Sequence, residues 1–118
     1  MSYASCMETT HHLPAGVDGL LKALADPTRR TVFERLVARE ESVAMLTAAS
    51  DVSQPAVSQH IAVLRKAGLL TERKMGRSTL YRVDTRALAP LVDWIARQDR
   101  FWRSAMRRLD DKLKEINE

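Results

Sequence analysis

The middle of the chain carries three helix-start signals and then a helix-stop signal, at spacings that leave room only for short helices. Asp26 precedes Pro27, so a carboxylate can accept the free N–H groups of a first turn that the fixed φ of proline suits. Ser42 and Ser53 offer the same kind of cap, and Gly68 suits the left-handed residue that ends a helix. These signals predict three successive helices, of which the last two are short and joined by a tight turn.

Apolar residues recur at helical spacing inside each of these segments, so each predicted helix has one face for a core. The segment before the first cap, from Val17 to Leu24, has the same spacing and predicts a short amphipathic helix. At 118 residues the chain supports one compact domain with a modest core. The positions expected to be buried are Val32, Phe33, Leu36, Val37, Leu46, Val57, Ile61 and Leu64.

Two short segments, 70–74 and 79–83, follow on either side of Gly76. In the second of them Tyr81 and Val83 alternate with their neighbours, as in a half-buried strand, and a short connection containing glycine suits a tight turn. This pattern predicts a β-hairpin. Two short helices that run into a basic hairpin make a helix-turn-helix with a wing. The predicted fold class is therefore a winged helix-turn-helix, mainly α with a small hairpin, spanning residues 17–118 after a flexible arm at 1–16.

From about residue 86 to the end, apolar residues recur mostly at spacings of three, four and seven, which predicts one long amphipathic helix. A monomer this small would struggle to cover a stripe of some thirty residues, so the stripe predicts burial against a second copy in a twofold dimer. The interface residues expected on this helix are Leu91, Trp94, Ile95, Phe101, Trp102, Met106, Leu109 and Leu113. The aromatic members could instead form the wall of a small apolar effector pocket, and the sequence leaves both interpretations open.

Several classes of protein are disfavoured by composition. No apolar run approaches the roughly 20 residues needed to span a bilayer, and the N-terminus lacks the pattern of a secretory signal. We therefore expect a cytoplasmic protein without a membrane partner. Cys6 is the only cysteine, which excludes an intramolecular disulfide and a thiolate metal cluster within one chain. No cofactor is predicted.

The third predicted helix has the surface needed to enter a DNA major groove. Gln54, Ser58, Gln59 and, in part, His60 form a small polar face opposite the apolar one, which holds the helix rigidly to the domain. Glutamine can pair bidentately with adenine, and serine can donate or accept at several base edges. We expect these four residues to read bases in double-stranded operator DNA.

Positive charge concentrates around that helix. The overall charge is +4, whereas residues 53–86 hold seven Arg and Lys residues against Glu72 and Asp84, a net charge of +5. Such residues would flank the groove and neutralise phosphates. The side chains expected at phosphates are Ser53, Arg65, Lys66, Arg73, Lys74 and Arg77.

Four stretches together resemble the ArsR family of bacterial repressors: residues 24–30, 52–60, 64–69 and 76–83. The resemblance extends over roughly residues 17–117. It implies a winged-helix homodimer that represses a promoter, often its own, with the helix from Gln54 to Lys66 as recognition helix. It also implies that the dimer packs the C-terminal helix with the N-terminal one, which adds Leu20 and Leu21 to the expected interface.

Many members of that family sense metals, and this sequence departs from them at the usual sites. The helix at 43–49 lacks the paired cysteines of the thiolate sensors. The C-terminal helix has Asp93 and Asp99 but no histidine, so a carboxylate and imidazole zinc site between protomers cannot be assembled. Metal sensing is therefore disfavoured. Cys6, His11 and His12 leave open a metal site in the N-terminal arm, and the identity of any effector stays unknown.

Two other classes of function can be weighed against DNA binding. An enzyme needs a nucleophile or a paired acid and base in a concave site. Ser58 and His60 lie on poorly aligned helix faces and no carboxylate orients the imidazole, so we predict no enzymatic activity. A winged helix that contacts only proteins remains an alternative, although the +5 charge around the reading helix disfavours it. DNA affinity that falls steeply with salt would separate the two.

Overall fold

The computed structural model of the protein describes residues 16–117. Its elements, in chain order, are α1 (Val17–Ala23), α2 (Pro27–Ala38), α3 (Val43–Ala48), α4 (Gln54–Lys66), β1 (Leu70–Met75), β2 (Ser78–Val83), a 3-10 turn (Thr85–Leu88) and α5 (Ala89–Asn117). This order confirms the predicted fold class of a mainly helical chain with a two-stranded antiparallel hairpin. Residues 1–15 of the predicted arm, including Cys6, His11 and His12, lie outside the described residues.

The three predicted helix starts are confirmed, because each capping side chain accepts a hydrogen bond from the third residue of its helix. The N–H to oxygen distances are 2.9 Å at Asp26, 3.2 Å at Ser42 and 3.4 Å at Ser53. The hydrogen bond that the backbone N–H of Arg29 donates to Asp26 holds the pKa of the Asp26 carboxyl below its ordinary value. Since these bonds satisfy N–H groups that a helix leaves free, they determine where α2, α3 and α4 begin.

The predicted stop at the end of α4 is also confirmed. Gly68 has a φ of 79°, in the left-handed region that glycine adopts without strain. The N–H of Leu69 donates to the carbonyl of Leu64 at 3.1 Å, and the N–H of Gly68 donates to that of Arg65 at 3.0 Å. This paired capping pattern turns the chain directly into β1, so the hairpin starts beside the C-terminal end of α4.

The hairpin of β1 and β2, here called the wing, pairs Leu70 with Val83 at its base and Met75 with Ser78 at its tip. Each strand is one residue longer at the turn than the sequence predicted. Gly76 has a φ of 62° at the first of the two turn positions, the conformation that lets a two-residue turn follow the twist of the strands. The wing tip is therefore a tight turn rather than a loose loop.

One core joins these elements, and nearly all of its predicted members are found in it. The buried residues are Leu20, Ala23, Val32, Leu36, Leu46, Val57, Ile61, Leu64, Leu69 and Val83. Phe33 packs at the edge of this core and is half-buried. The expectation for Val37 was wrong, because its side chain is 42% exposed. One step along a helix turns the side chain by about 100°, which carries Val37 past the edge of the face that holds Leu36.

α5 differs from the other helices because none of its 29 residues is buried. It packs against α1 and the 3-10 turn, and every residue at 106–117 is exposed. The radius of gyration is 20.3 Å, whereas a compact domain of about 100 residues would have about 13 Å. The long helix therefore extends beyond the core. None of the described helices is long and apolar enough to cross a membrane.

Candidate nucleic-acid interface

α4 divides its side chains between the core and the surface. Val57, Ile61 and Leu64 are each no more than 3% exposed and attach the helix to the core. The exposed side carries three of the predicted reading residues, which are Gln54, Ser58 and Gln59. Because the apolar face is fixed by packing, the polar face is presented without freedom to rotate.

His60 is placed differently from the other three predicted reading residues. Its side chain is half-buried, and its Nδ1 atom is buried with no hydrogen-bond partner among the described residues. The imidazole lies near Asp26 at the start of α2, and its proximity adds a small part to the lowering of the pKa of that carboxyl, which is due first to the backbone hydrogen bond from Arg29. Two residues along a helix correspond to about 200°, so His60 points away from the side that carries Ser58.

The start of α4 and the tip of the wing line one cleft. A cavity of about 290 Å³ is lined by Gln54, by Ser42 and the first residues of α3, and by wing residues Arg77, Ser78, Thr79 and Tyr81. The predicted reading helix and the predicted phosphate-binding hairpin are therefore brought together on one side of the molecule, although more than twenty residues separate Gln54 from Arg77 in the sequence.

Two of the predicted phosphate-binding cations are held by carboxylates of the protein. The Nε atom of Arg65 lies 3.0 Å from a carboxylate oxygen of Glu72 on β1. The Nε atom of Arg73 lies 2.6 Å from one of Glu40, and this hydrogen bond raises the pKa of Arg73. Phosphate would have to compete with these carboxylates, so the two arginines are less available than a count of charges implies.

The other predicted cations carry no such pairing. Within residues 16–117, Lys66, Lys74 and Arg77 form no ion pair with an acidic side chain. All three are exposed, one at the end of α4 and two near the wing tip. Ser53 is exposed as well, but its hydroxyl is engaged in capping α4 at 3.4 Å. Among the predicted phosphate-binding residues, the accessible positive charge thus lies at the C-terminal end of α4 and near the wing tip.

The structure contains a buried carboxylate that sequence reasoning missed. Glu41, between α2 and α3, is 1% exposed. Its carboxylate accepts hydrogen bonds from Arg35 at 2.7 and 3.1 Å and from Arg39 at 2.9 Å. Its backbone pairs with Tyr81 of β2 as an isolated bridge. The sequence signal was weak, because an acidic residue just before a helix cap is ordinarily a solvated one.

The residues predicted for a dimer interface fall into three groups by exposure. Leu20 is 3% exposed and belongs to the core of a single chain, so its expected role at an interface is not supported by exposure. Leu91 and Trp94 are half-buried. The exposed members are Leu21, Ile95, Phe101, Trp102, Met106, Leu109 and Leu113, of which the six on α5 are 50 to 62% exposed. Phe101 and Trp102 stack edge to face with centroids 5.6 Å apart.

Asp93 and Asp99 of α5, which the sequence leaves without a histidine partner on that helix, lie apart from any metal-binding cluster among the described residues. Asp99 pairs with Arg103 at 2.9 Å on an exposed turn of the helix, and Asp93 is exposed. Among residues 16–117 there is no group of three or more histidine, cysteine, aspartate or glutamate side chains that could hold a metal ion.

Comparison with known proteins relates this architecture to transcriptional regulators. A helix-turn-helix domain family matches residues 24–73. Over 89 residues the chain is 42% identical to the HTH-type transcriptional regulator Rv2034 of Mycobacterium tuberculosis, covering 75% of this chain and 80% of that protein. Over 86 residues it is 41% identical to the arsenical resistance operon repressor of Escherichia coli K12, covering 71% and 70%.

Solved structures also relate the chain to transcriptional regulators. The crystal structure of an ArsR family transcriptional regulator matches with a TM-score of 0.69 and 31% identity, covering 79% of this chain and 96% of the other. An ArsR-like transcriptional regulator from Rhodococcus sp. RHA1 matches with a TM-score of 0.65 and 29% identity, covering 88% and 94%. With its winged helix-turn-helix and these relatives, the chain belongs to the ArsR family and is a DNA-binding transcriptional regulator.

Proposed function

We propose that the protein acts as a homodimeric repressor that binds a twofold-symmetric operator and blocks access to a promoter. The observation that carries this proposal is the rigid polar face of α4 beside accessible cations. Gln54, Ser58 and Gln59 would read base edges in the major groove. Repression is favoured because relatives such as the arsenical resistance operon repressor are named for it.

Phosphate contacts are assigned to those of the predicted phosphate-binding cations that have no acidic partner among the described residues. Lys66 at the end of α4 and Lys74 and Arg77 on the wing would contact the backbone on either side of the reading helix. Arg65 and Arg73 are assigned a smaller share of the phosphate contacts, because each lies within 3.0 Å of a carboxylate that phosphate would have to displace. The half-buried His60 is omitted from the reading set.

Dimerisation is supported by the apolar stripe of α5, which is here defined as Leu91, Ile95, Trp102, Met106, Leu109 and Leu113. In one chain most of this stripe is at least half exposed. An exposed apolar face of this length marks an interaction surface. A second copy of the same helix, with Leu21 of α1 at the margin, would cover it, and the twofold axis would place two reading helices on successive turns of the major groove.

The first test is selection of bound duplexes from a random pool by the full chain, followed by footprinting of the selected sequence. A regulator of this kind should recover an inverted repeat with half-sites about 10 base pairs apart, or a multiple of that spacing. Recovery of no preferred sequence, with affinity insensitive to salt, would instead favour a winged helix used only for protein contacts.

Arg77→Ala is expected to weaken binding to operator and to unrelated duplexes by a similar factor. Each lost phosphate contact lowers the slope of log affinity against log salt by about 0.9, so a dimer should lose about two units of slope. Fluorescence anisotropy over a salt series measures both effects. Arg103→Ala, which removes an arginine paired with Asp99 on α5, is the matched control and should leave the slope unchanged. An unaltered slope in Arg77→Ala would contradict the wing contact.

Glu72→Gln is expected to tighten DNA binding several-fold at low salt, because it releases Arg65 from its carboxylate partner and removes a negative charge beside α4. The gain should shrink as salt rises. Asp99→Asn makes the same change in net charge and breaks an ion pair on α5, so it controls for overall charge. Equal DNA affinities of Glu72→Gln and Asp99→Asn would show that the ion pair with Glu72 does not keep Arg65 from contacting phosphate.

A further inference from the structure

Two consecutive acidic residues between α2 and α3 attach the wing to the rest of the domain. Glu41 is 1% exposed and its carboxylate is held by Arg35 and Arg39 at 2.7 to 3.1 Å. A buried carboxylate is strongly unfavourable unless it is paired and hydrogen-bonded, so these guanidinium groups determine where Glu41 can lie. Both arginines belong to the end of α2 or the residue after it, which makes α2 the fixed side of the attachment.

The same residue joins the wing through its backbone. The N–H of Glu41 donates to the carbonyl of Tyr81 at 3.1 Å, and the N–H of Tyr81 donates to the carbonyl of Glu41 at 2.9 Å. Glu41 thus adds one strand position to the free edge of β2. Glu40 binds the other strand, since its carboxylate lies 2.6 Å from the Nε atom of Arg73 on β1. We call Glu40 and Glu41, with these contacts, the acidic clasp.

The acidic clasp contacts the wing beyond its base, at a position where it can restrict the motion of the wing tip. Leu70 and Val83 pair at the base, and Tyr81 pairs with Glu72 two steps further out. The tip at Arg77 lies about four residues beyond Tyr81, or about 13 Å at the rise of a strand. A hairpin held only at its base would swing most at its tip, so a second attachment at Tyr81 limits the motion of Arg77.

We propose that the acidic clasp, and Glu41 above all, is a positioning device that holds the wing tip against the reading helix. The clasp touches no DNA in this proposal and acts through the placement of Arg77. It therefore rests on the proposed phosphate contact of the wing. Ser42, the residue after Glu41, caps α3. The clasp therefore connects the end of α2, the start of the helix-turn-helix at α3 and the wing.

The two acidic residues should differ in effect, which supplies a matched control. The side chain of Glu41 is 2% exposed, whereas that of Glu40 is 31% exposed and its partner Arg73 is 57% exposed. An exposed ion pair contributes little to a fixed geometry, because water replaces it readily. Glu40→Gln should therefore change wing placement much less than Glu41→Gln, although both remove one charge from adjacent positions.

The first experiment is a double-mutant cycle on DNA affinity. In the otherwise unaltered dimer, Arg77→Ala should cost about tenfold in affinity and lower the salt slope. In the Glu41→Gln background the same change should cost less than about twofold, because the tip is no longer held where it can contact phosphate. In the Glu40→Gln background the tenfold cost should return. A full Arg77 effect in the Glu41→Gln background overturns the positioning role.

The second experiment observes placement without DNA. Spin labels at Ser78 on the wing and Ala62 on the exposed side of α4, in a chain with Cys6→Ser, report the distance between tip and helix. The distribution should broaden in Glu41→Gln and stay narrow in Glu40→Gln. A narrow distribution in both overturns the clasp. If Glu41→Gln lowers the helical circular dichroism, Arg35→Lys is the second variant, because it keeps the positive charge but loses the contact that Arg35 makes with both oxygens of the Glu41 carboxylate. It should broaden the distribution in a folded chain, and an unchanged distribution overturns the proposal.

The two experiments keep the clasp separate from the wing contact on which it rests. If Arg77→Ala leaves DNA affinity unchanged even in the otherwise unaltered chain, the proposal of a phosphate contact by the wing is wrong. The proposal that the clasp positions the wing for DNA binding is then wrong as well. If Arg77→Ala weakens binding equally in every background, the wing contact stands and only the clasp is overturned.

Discussion

Trp102→Ala is expected to convert the proposed dimer largely to monomer and to weaken operator binding by a factor of about a hundred or more. Trp102 lies in the middle of the apolar stripe of α5, 62% exposed in the single chain and stacked on Phe101. Truncating a buried interface tryptophan costs about 2 kcal/mol or more per copy. A twofold dimer carries two copies, so its dissociation constant should rise about a thousandfold.

Sedimentation equilibrium measures the dimer constant, and anisotropy on the operator measures the loss of joint binding to two half-sites. Arg100→Ala is the matched control, because it lies on the same helix two residues earlier, about 200° around the axis from Trp102. It should leave both quantities unchanged. A monomeric Trp102→Ala variant that still binds the full operator with the original affinity would disprove the dimer proposal.

Replacing Gln54, Ser58 and Gln59 together by alanine is expected to remove most of the preference for operator over unrelated DNA. A good base contact contributes about 1 to 3 kcal/mol of discrimination, and specific binding typically exceeds non-specific binding by about 10³-fold or more. We therefore expect the two affinities to come within about tenfold of each other. All three side chains are exposed, so thermal unfolding should change little.

The measurement is a comparison of the selected operator with a scrambled duplex of the same length at fixed salt. Arg77→Ala serves as the contrasting variant, because it should weaken both duplexes alike and preserve their ratio. The triple variant should do the reverse, with a reduced ratio and a nearly unchanged affinity for the scrambled duplex. Retention of the original ratio would mean that α4 is not the reading helix.

Helix boundaries could be predicted from the sequence because they depend on residues only a few positions apart. Asp26, Ser42 and Ser53 each cap a backbone group three residues ahead, and Gly68 adopts the left-handed conformation that its lack of a side chain permits. The apolar face of α4 was likewise predictable, since a helix places residues three and four apart on one side.

What each apolar face packs against could not be predicted in the same way. Leu20 was expected at a dimer interface and lies instead in the core of the chain, while Val37 was expected in the core and is exposed. Periodicity indicates that a face is buried, but only the arrangement of the other helices decides where its edge falls. The half-buried position of His60 beside Asp26 likewise depends on how α4 packs against α2.

The +5 charge of residues 53–86 was visible in the sequence, and its distribution in space was not. Local rules determined the caps, the helix-turn-helix, the hairpin and the long amphipathic helix, because hydrogen bonds and side-chain periodicity act over a few residues. Only the tertiary structure decided which cations are already paired and how the wing is held. The pairs of Arg73 with Glu40 and Arg65 with Glu72, and the bridge of Glu41 to Tyr81, join separate elements. Contacts of that kind form only when the chain has folded.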